Sequence, residues 1–260
     1  MLLGVDVSEY QGLMNWPKAK EAGAQFAYFR VGYGPDGIDD QLVFNRLNAP
    51  AILPTGGYWA FNPSWPALEQ ADLFCDELDR WNWKLRPWAD VELEGTTPII
   101  ERTQALENFI LRIIQRTRVV PVIYTRAVWF NDHILRHLLW NCCDLAVARY
   151  CQLDHPWGDG NCVPLDWDDF LFWQWSADGN GRGAEFGAES DSIDLDWYTG
   201  VLPGFGSKLT VKSPTWLRRK GSESGAIVGS TWNGRTLDVV ERVGGWVKVN
   251  AWIREADERG

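Results

Sequence analysis

Two carboxylates separated by one residue, Asp90-Val91-Glu92, are the sharpest chemical signal in the sequence. Residues two apart on a β-strand point to the same side, and at about 3.3 Å per residue their Cα atoms lie roughly 6.6 Å apart. Like charges at that separation cannot both ionise freely, so one carboxyl keeps its proton beside a charged neighbour. Cleavage of a glycosidic bond uses this pairing, because the leaving oxygen needs a proton and the oxocarbenium-like centre needs nearby negative charge.

An isolated Asp-x-Glu is also common on solvent-facing strand edges, so the elements that carry it decide its meaning. Eight short segments rich in Val, Ile, Tyr, Phe and Trp predict strands, and most are apolar on both faces, as expected of strands covered by helices. They are Leu2–Val7, Phe26–Gly32, Gly57–Phe61, Pro87–Leu93, Val120–Thr125, Leu145–Tyr150, Phe170–Trp175 and Ser192–Trp197.

Helix-compatible stretches lie between the early strands, and their alternation predicts parallel strands with right-handed crossovers. After the sixth strand, residues 151–169 and 177–191 are crowded with Gly, Pro, Asp and Asn and predict loops. The sequence therefore predicts an α/β fold, a modified TIM-type barrel of eight strands and about five helices. The five predicted helices are Trp16–Ala22, Gln41–Asn48, Ser64–Trp81, Thr97–Arg116 and Val128–Trp140.

Reacting groups in such barrels come from the C-terminal ends of strands. The predicted strand ends supply four acids, which we assign as the candidate catalytic residues: Asp6, Asp90, Glu92 and Asp194. Asp196 and Glu94 share the faces of their neighbours and rank below them as substitutes.

The chain divides near residue 201 into a predicted barrel (1–201), a Pro- and Gly-rich linker (202–207) and a small all-β domain (208–260). Residues 1–207 carry 15 basic and 29 acidic groups, a net charge of −14, which disfavours nucleic acid as a partner. Residues 208–260 carry 10 basic and 6 acidic groups, and this excess either favours an anionic cell wall or is simply a solvated face.

Apolar runs are too short to span a bilayer, so we expect no membrane insertion. The N-terminus lacks the basic and apolar regions of a classical secretion signal, so we expect synthesis in the cytoplasm. Five cysteines show no CxxC metal signature, and we expect no metal and no cofactor. Free or buried thiols are the default, while a Cys151–Cys162 disulfide and a zinc site that includes His155 are the alternatives.

Motifs from residue 1 to about 200 resemble, in order, the glycoside hydrolase family 25 lysozymes, the Chalaropsis-type N-acetylmuramidases found among phage endolysins and bacterial autolysins. Each motif is weak alone, and the ordered combination is specific. The matching segments are Gly4-Val5-Asp6-Val7-Ser8, Tyr10-Gln11-Gly12, Phe29-Arg30-Val31-Gly32-Tyr33-Gly34, Gly57-Tyr58-Trp59-Ala60-Phe61, Ala89-Asp90-Val91-Glu92, Ile123-Tyr124-Thr125, Trp173-Gln174-Trp175-Ser176 and Ile193-Asp194-Leu195-Asp196.

The resemblance implies cleavage of the β-1,4 bond between N-acetylmuramic acid and N-acetylglucosamine in peptidoglycan, with Glu92 as general acid. Asp90 would orient the 2-acetamido group of the substrate, whose oxygen attacks the anomeric carbon, or would itself be the nucleophile. Asp6 and Asp194 would hold Glu92 and the sugar in position.

Four aromatic residues at strand ends are predicted to contact sugar rings, because the apolar faces of sugars lie on aromatic side chains. Two further residues from the matching motifs complete the predicted substrate-binding set, which is Tyr58, Tyr124, Tyr150, Trp175, Gln174 and Arg30. Ala146 departs from the family pattern, where a Trp is common, and this puts one sugar or core contact in doubt.

The C-terminal segment, with Gly245-Trp246-Val247-Lys248-Val249 among its motifs, is similar to bacterial SH3-like wall-binding domains. The resemblance implies a second contact to the cell wall, and a purely stabilising domain is the alternative. For the whole chain, the rival hypothesis is a non-catalytic peptidoglycan-binding protein on the same fold. A peptidoglycan amidase or peptidase would need zinc or a Cys-His pair, and His133, His137 and His155 lie outside the strand ends.

Overall fold

A computed structural model describes residues 1–34, 37–150 and 162–200 in full, and the backbone of five further strands between residues 208 and 249. The chain forms two compact units, Met1–Thr199 and Gly200–Gly260.

The larger unit is a closed eight-stranded barrel, which confirms the predicted architecture. Its strands follow one another around the barrel in chain order, and the last pairs with both the first and the one before it. The strands are β1 (Leu2–Val7), β2 (Phe26–Tyr33), β4 (Thr55–Ala60), β5 (Trp88–Asp90), β6 (Val122–Thr125), β7 (Leu145–Ala148), β8 (Phe172–Ser176) and β9 (Asp194–Tyr198). A two-residue strand, β3 (Gly37–Ile38), was not predicted and pairs antiparallel with the end of β2.

The last strand corrects the prediction of an all-parallel barrel. β9 runs antiparallel to both β1 and β8. The reason lies in residues 177–191, whose one helical element is a single 3₁₀ turn, Gly179–Gly181. Without a crossover helix to carry the chain back along the barrel, the chain re-enters at the end that it has just left. As a result, Asp194 begins β9 directly opposite Asp6, near the end of β1.

Five helices accompany the barrel, as predicted, although the fifth is shorter than expected and ends at His133. Both Arg112 and Arg116, on the fourth helix, form ion pairs with Asp72 on the third, which joins the two longest helices. The helices are α1 (Trp16–Glu21), α2 (Leu42–Asn48), α3 (Ala67–Arg80), α4 (Ile99–Thr117) and α5 (Ala127–His133).

The strands bury side chains on both faces, as their doubly apolar sequences predict. Toward the helices, residues such as Val5, Phe29 and Ile123 join one large hydrophobic cluster. Inside the barrel, a second set of aromatic rings packs together, including Tyr28 stacked on Trp88 at 3.8 Å between ring centroids. This layer also contains Phe26, Phe172 and Tyr198.

Gly4 shows why the interior aromatic layer needs glycine on β1. A Cβ atom at this position would lie 2.2 Å from the ring of Phe26, far inside van der Waals contact. Two residues further along β1, and on the same side of the strand, is Asp6. On this side of β1, the position that packs against an aromatic ring, Gly4, is therefore followed directly by the acid, Asp6.

The smaller unit contains five short strands, paired as a three-stranded antiparallel sheet and a two-stranded one. They are β10 (Lys208–Thr210), β11 (Thr215–Arg218), β12 (Ile227–Thr231), β13 (Thr236–Val243) and β14 (Trp246–Val249). None of the helices in the described part of the chain combines the length and apolarity needed to cross a membrane.

Candidate active site

The four predicted acids lie at one end of the barrel, where the parallel strands finish and β9 begins. Asp6 and Asp194 face each other in the β1–β9 pairing, and Asp90 is the last residue of β5. Glu92 lies beyond the end of β5, so the expectation that both acids of Asp90-Val91-Glu92 sit on one strand was wrong. The extended path nevertheless continues through Val91, whose N–H donates to the Tyr124 carbonyl at 2.8 Å.

Gln174 connects three of the strands at this end. Its side-chain oxygen accepts hydrogen bonds from the hydroxyls of Tyr124 and Tyr150, both at 2.8 Å. Its side-chain nitrogen donates to Oδ2 of Asp6, also at 2.8 Å. Gln174 is buried, and this network fixes the orientation of its amide and of the Asp6 carboxyl.

Three carboxyls crowd together at the β1–β9 junction: those of Asp6, Asp194 and Asp196. Burial raises the pKa of Asp6 to about 6, against hydrogen bonds from Gln174 and Asp196 that lower it. Burial and the charge of Asp6 raise the pKa of Asp194 to about 9. At neutral pH this junction therefore holds at least one proton on a carboxyl, as expected where like charges share a poorly solvated site.

Asp90 and Glu92 form the opposite side of the cluster. Burial and the charge of Glu92 raise the pKa of Asp90 well above its usual range, and one of its oxygens is buried without a hydrogen-bond partner. Burial also raises the pKa of Glu92, while Arg126 opposes the rise from 3.8 Å. The Glu92 side chain is 35% exposed, so its carboxyl is accessible to a polymeric substrate.

Tyr58 and Tyr150 lie beside the acid cluster and differ in their surroundings. Burial and the charge of Asp6 raise the pKa of Tyr58 well above its usual value, so its hydroxyl stays neutral beside the acids. Tyr150 follows the end of β7 and is 52% exposed, which leaves part of its ring open to a ligand.

Arg30 lies beside the acids, where its charge opposes the rise in the pKa of Asp90 and of Tyr58, and its guanidinium forms ion pairs with Asp39, at 2.8 Å, and with Glu9. One predicted substrate contact lies elsewhere than expected. Trp175 packs against the hydrophobic clusters outside the barrel, on the other side of β8 from the inward-facing Gln174. Ala146 is buried within β7, and the four residues of this strand include no aromatic side chain.

Two residues near the site were missed by sequence reasoning. Arg126 follows directly after β6, and its position just past a strand end could have identified it. Tyr10 is 74% exposed, and the Arg30 guanidinium lies 5.0 Å from its ring centroid, so the side chain is held at the surface by a cation–π contact.

In the described ranges, no group of three or more His, Cys, Asp or Glu side chains has the geometry to hold a metal ion. Cys151 and His155 lie outside the described residues, and with them the alternatives of a Cys151–Cys162 disulfide and of a zinc site that includes His155. Cys162 itself is buried.

The raised pKa values of the cluster predict how stability depends on pH. A carboxyl whose pKa is higher in the folded protein than in the unfolded chain stabilises the fold below its unfolded pKa, and this contribution disappears as pH rises through the folded value. We therefore expect the melting temperature to fall between about pH 4 and pH 9, the window set by Asp6 and Asp194.

The substitution Asp194→Asn should flatten this dependence, because the amide does not ionise. Thermal melts of the wild-type protein and the variant across that range measure it, at about 2–4 °C per kcal/mol for a domain of this size. The matched control is Asp191→Asn, an exposed acid three residues away, which should keep the wild-type slope. An unchanged slope in Asp194→Asn would show that the buried cluster does not govern the pH response.

A barrel with a cluster of buried carboxyls at one end, two of them in an Asp-x-Glu arrangement, is typical of the glycosidases. The family model of the glycosyl hydrolases family 25 matches residues 5–184, and the chain belongs to this family. A curated relative, Lysozyme M1 of Streptomyces globisporus, is 31% identical over 209 residues, covering 76% of this chain and 67% of the relative.

Solved structures agree with the family assignment. The bacterial lysozyme from Streptomyces coelicolor has a TM-score of 0.60 at 25% identity and covers 76% of this chain and 92% of its own. The spore cortex lytic enzyme SleM of Clostridium perfringens has a TM-score of 0.65 at 18% identity and covers 92% of this chain and 86% of its own. The second likeness shows the fold alone.

Proposed function

We propose that this glycosidase is a lysozyme that cleaves the β-1,4 bond between N-acetylmuramic acid and N-acetylglucosamine. The observation that carries the proposal is the meeting of Asp6, Asp90, Glu92 and Asp194 at one end of a family 25 barrel. The similarity to Lysozyme M1, which extends over most of the barrel, supports the same substrate.

Glu92 is the proposed general acid. Its side chain is 35% exposed, and the burial of the rest of the group favours the protonated form. A proton donor must reach the glycosidic oxygen of a bound polymer, and an accessible, protonated carboxyl meets both needs. Arg126 limits how high the pKa of Glu92 rises, which keeps the group able to lose its proton in the reaction.

Asp90 is proposed to orient the 2-acetamido group, whose carbonyl oxygen then attacks the anomeric carbon. Asp90 is 8% exposed at the end of β5, next to Glu92, and we assign its carboxyl as the acceptor of the acetamido N–H. That hydrogen bond would favour the ionised form of Asp90 and increase electron density on the attacking oxygen. Direct attack by Asp90 is the alternative, and the two reaction paths predict different substrate requirements.

Asp6 and Asp194 are proposed to position the reacting acids. Asp6 is held by Gln174, which in turn is held by Tyr124 and Tyr150, so a change at any of these residues is transmitted to the acid cluster. Tyr58 and Tyr150 are the proposed sugar contacts on the border of the site. Among the exposed aromatic residues, Tyr10 is a further candidate.

Analysis of products from purified peptidoglycan tests the reaction. A muramidase releases fragments with new reducing muramic ends, which mass spectrometry after borohydride reduction identifies. Free stem peptides would instead indicate an amidase or peptidase. Wall binding without any released fragment would support the non-catalytic alternative.

The smaller unit is proposed to be an SH3-like domain that binds the cell wall. Its short antiparallel strands and its excess of basic residues support this reading. A second contact to the same polymer raises the local concentration of the barrel at its substrate. The proposed site of action is thus the bacterial cell wall, as for an endolysin or autolysin.

Deleting residues 207–260 should weaken binding to whole walls by at least about tenfold, because linked binding commonly gains one or more orders of magnitude. Turnover of soluble glycan fragments should change much less, since these fragments engage the barrel alone. Co-sedimentation with walls and a reducing-end assay on soluble fragments measure the two quantities. The melting temperature of the shortened chain serves as the control for folding, and equal losses in both assays would show that the smaller unit only stabilises the barrel.

A further inference from the structure

Asp196 is the most deeply buried acid of the cluster, and the proposed reaction gives it no part. It lies on β9, where the pairing places it opposite Gly4 of β1 and Gln174 of β8. Its side chain is fully buried, at 0% exposure, whereas that of Glu92 is 35% exposed. A buried ionised carboxylate requires hydrogen-bond donors to replace water, and otherwise the group becomes neutral.

The surroundings of Asp196 do not supply such donors. In the described part of the chain, no N–H or O–H group donates to either of its carboxyl oxygens. The carboxyl of Asp6 is its diagonal neighbour across the β1–β9 pairing, because Asp196 pairs with Gly4 and Asp6 pairs with Asp194, and the two carboxyls influence each other's pKa. Two carboxyls can share a hydrogen bond only when one of them carries a proton.

The direction of that hydrogen bond follows from the other contacts. Asp6 accepts an N–H from Gln174 at 2.8 Å, which favours its ionised form. Asp196 has no comparable donor in the described residues and is therefore the group that keeps the proton.

We propose that Asp196 is a positioning residue that stays a neutral carboxylic acid and donates a hydrogen bond to Asp6, which it holds as an ionised acceptor at the active site. This inference rests on the proposed placement of Asp6 among the acids that act on the glycan. It assigns Asp196 no contact with substrate.

The titratable groups that face Asp196 come from three strands. Asp6 lies on β1, Asp194 lies on the same strand as Asp196, and Tyr28 projects from β2. The Tyr28 hydroxyl is engaged with the Arg86 carbonyl at 2.9 Å. Burial and the charge of Asp6 raise the pKa of Asp196 well above its usual range, in agreement with the direction of the hydrogen bond.

Two substitutions test the role. Asp196→Asn keeps a donor toward Asp6 and cannot ionise, while Asp196→Leu has similar bulk and no donor. We expect the Asn variant to retain at least about a third of the wild-type kcat, and the Leu variant to lose about tenfold or more, as expected for a buried acceptor left without a donor. Both are measured on soluble glycan fragments from about pH 5 to pH 9.

The pH profile distinguishes positioning from packing. In Asp196→Asn the alkaline limb of kcat/KM should move to higher pH, because the donor no longer titrates. A loss of activity in the Asn variant as large as in the Leu variant would overturn the proposal, and so would a wild-type pH profile in the Leu variant.

Infrared difference spectroscopy gives a readout that needs no substrate and no activity. The spectrum of the wild-type protein minus that of Asp196→Asn at neutral pH should contain the C=O stretch of a protonated carboxyl. Its absence would overturn the proposal even if the enzyme cleaves glycan. Conversely, a wild-type protein that shows this band but does not cleave glycan would contradict the proposed function and leave the assignment of Asp196 supported.

Discussion

Replacing Glu92 with Gln is expected to lower the turnover of peptidoglycan roughly 10²–10⁴-fold, the usual contribution of a general acid. Gln preserves the shape of the side chain and cannot protonate the glycosidic oxygen. Substrate affinity should change far less than kcat, because the lost interaction belongs to the transition state. Reducing-end assays on soluble fragments give kcat and KM separately, and wall turbidity gives the overall lysis.

The matched control for this prediction is Glu94→Gln, two residues further along the chain. Glu94 is the same residue type, its side chain is 66% exposed, and it contacts His133 at 3.5 Å and none of the four proposed catalytic acids. We expect this variant to lyse walls at close to the wild-type rate. Comparable losses in the two variants would mean that general negative charge near the mouth of the barrel matters, and Glu92 would lose its assigned role.

Sequence patterns were sufficient to predict the barrel, because strands that are apolar on both faces and helices with one apolar face show directly which surfaces are buried. They could not give the direction of β9. The connection between β8 and β9 was correctly predicted to lack a normal helix, but a loop of 17 residues, 177–193, is compatible with either direction. The direction matters for the site, because it places the first residue of β9, Asp194, opposite Asp6.

The acids themselves were predictable from their positions at strand ends, while their protonation states were not. These depend on partners from distant parts of the chain, such as the hydrogen bond from Gln174 to Asp6 across 168 positions. Trp175 shows the reverse case. Its position at a strand end predicted a sugar contact, but the β8–β9 register shifts at this point, and Trp175 packs against the hydrophobic clusters outside the barrel.

Replacing Asp90 with Asn should reduce turnover roughly 10²–10³-fold, comparable to the loss of one electrostatic group that stabilises a transition state. The substitution removes the negative charge that is proposed to align and polarise the 2-acetamido group. If the acetamido oxygen is the nucleophile, the wild-type enzyme should suffer a similar loss on glycan whose N-acetyl groups have been removed, because the intramolecular attack is no longer available.

Combining both changes separates the two reaction paths. Asp90→Asn should lose little further rate on the de-N-acetylated glycan, since the variant and the altered substrate remove the same step. If Asp90 is instead the nucleophile, the wild-type enzyme keeps most of its rate on that glycan, the variant loses its rate on both substrates, and a covalent glycosyl-enzyme can be trapped on Asp90. The control is Asp79→Asn, an acid on α3 that is 63% exposed and pairs with Arg116, which should leave all rates near wild type.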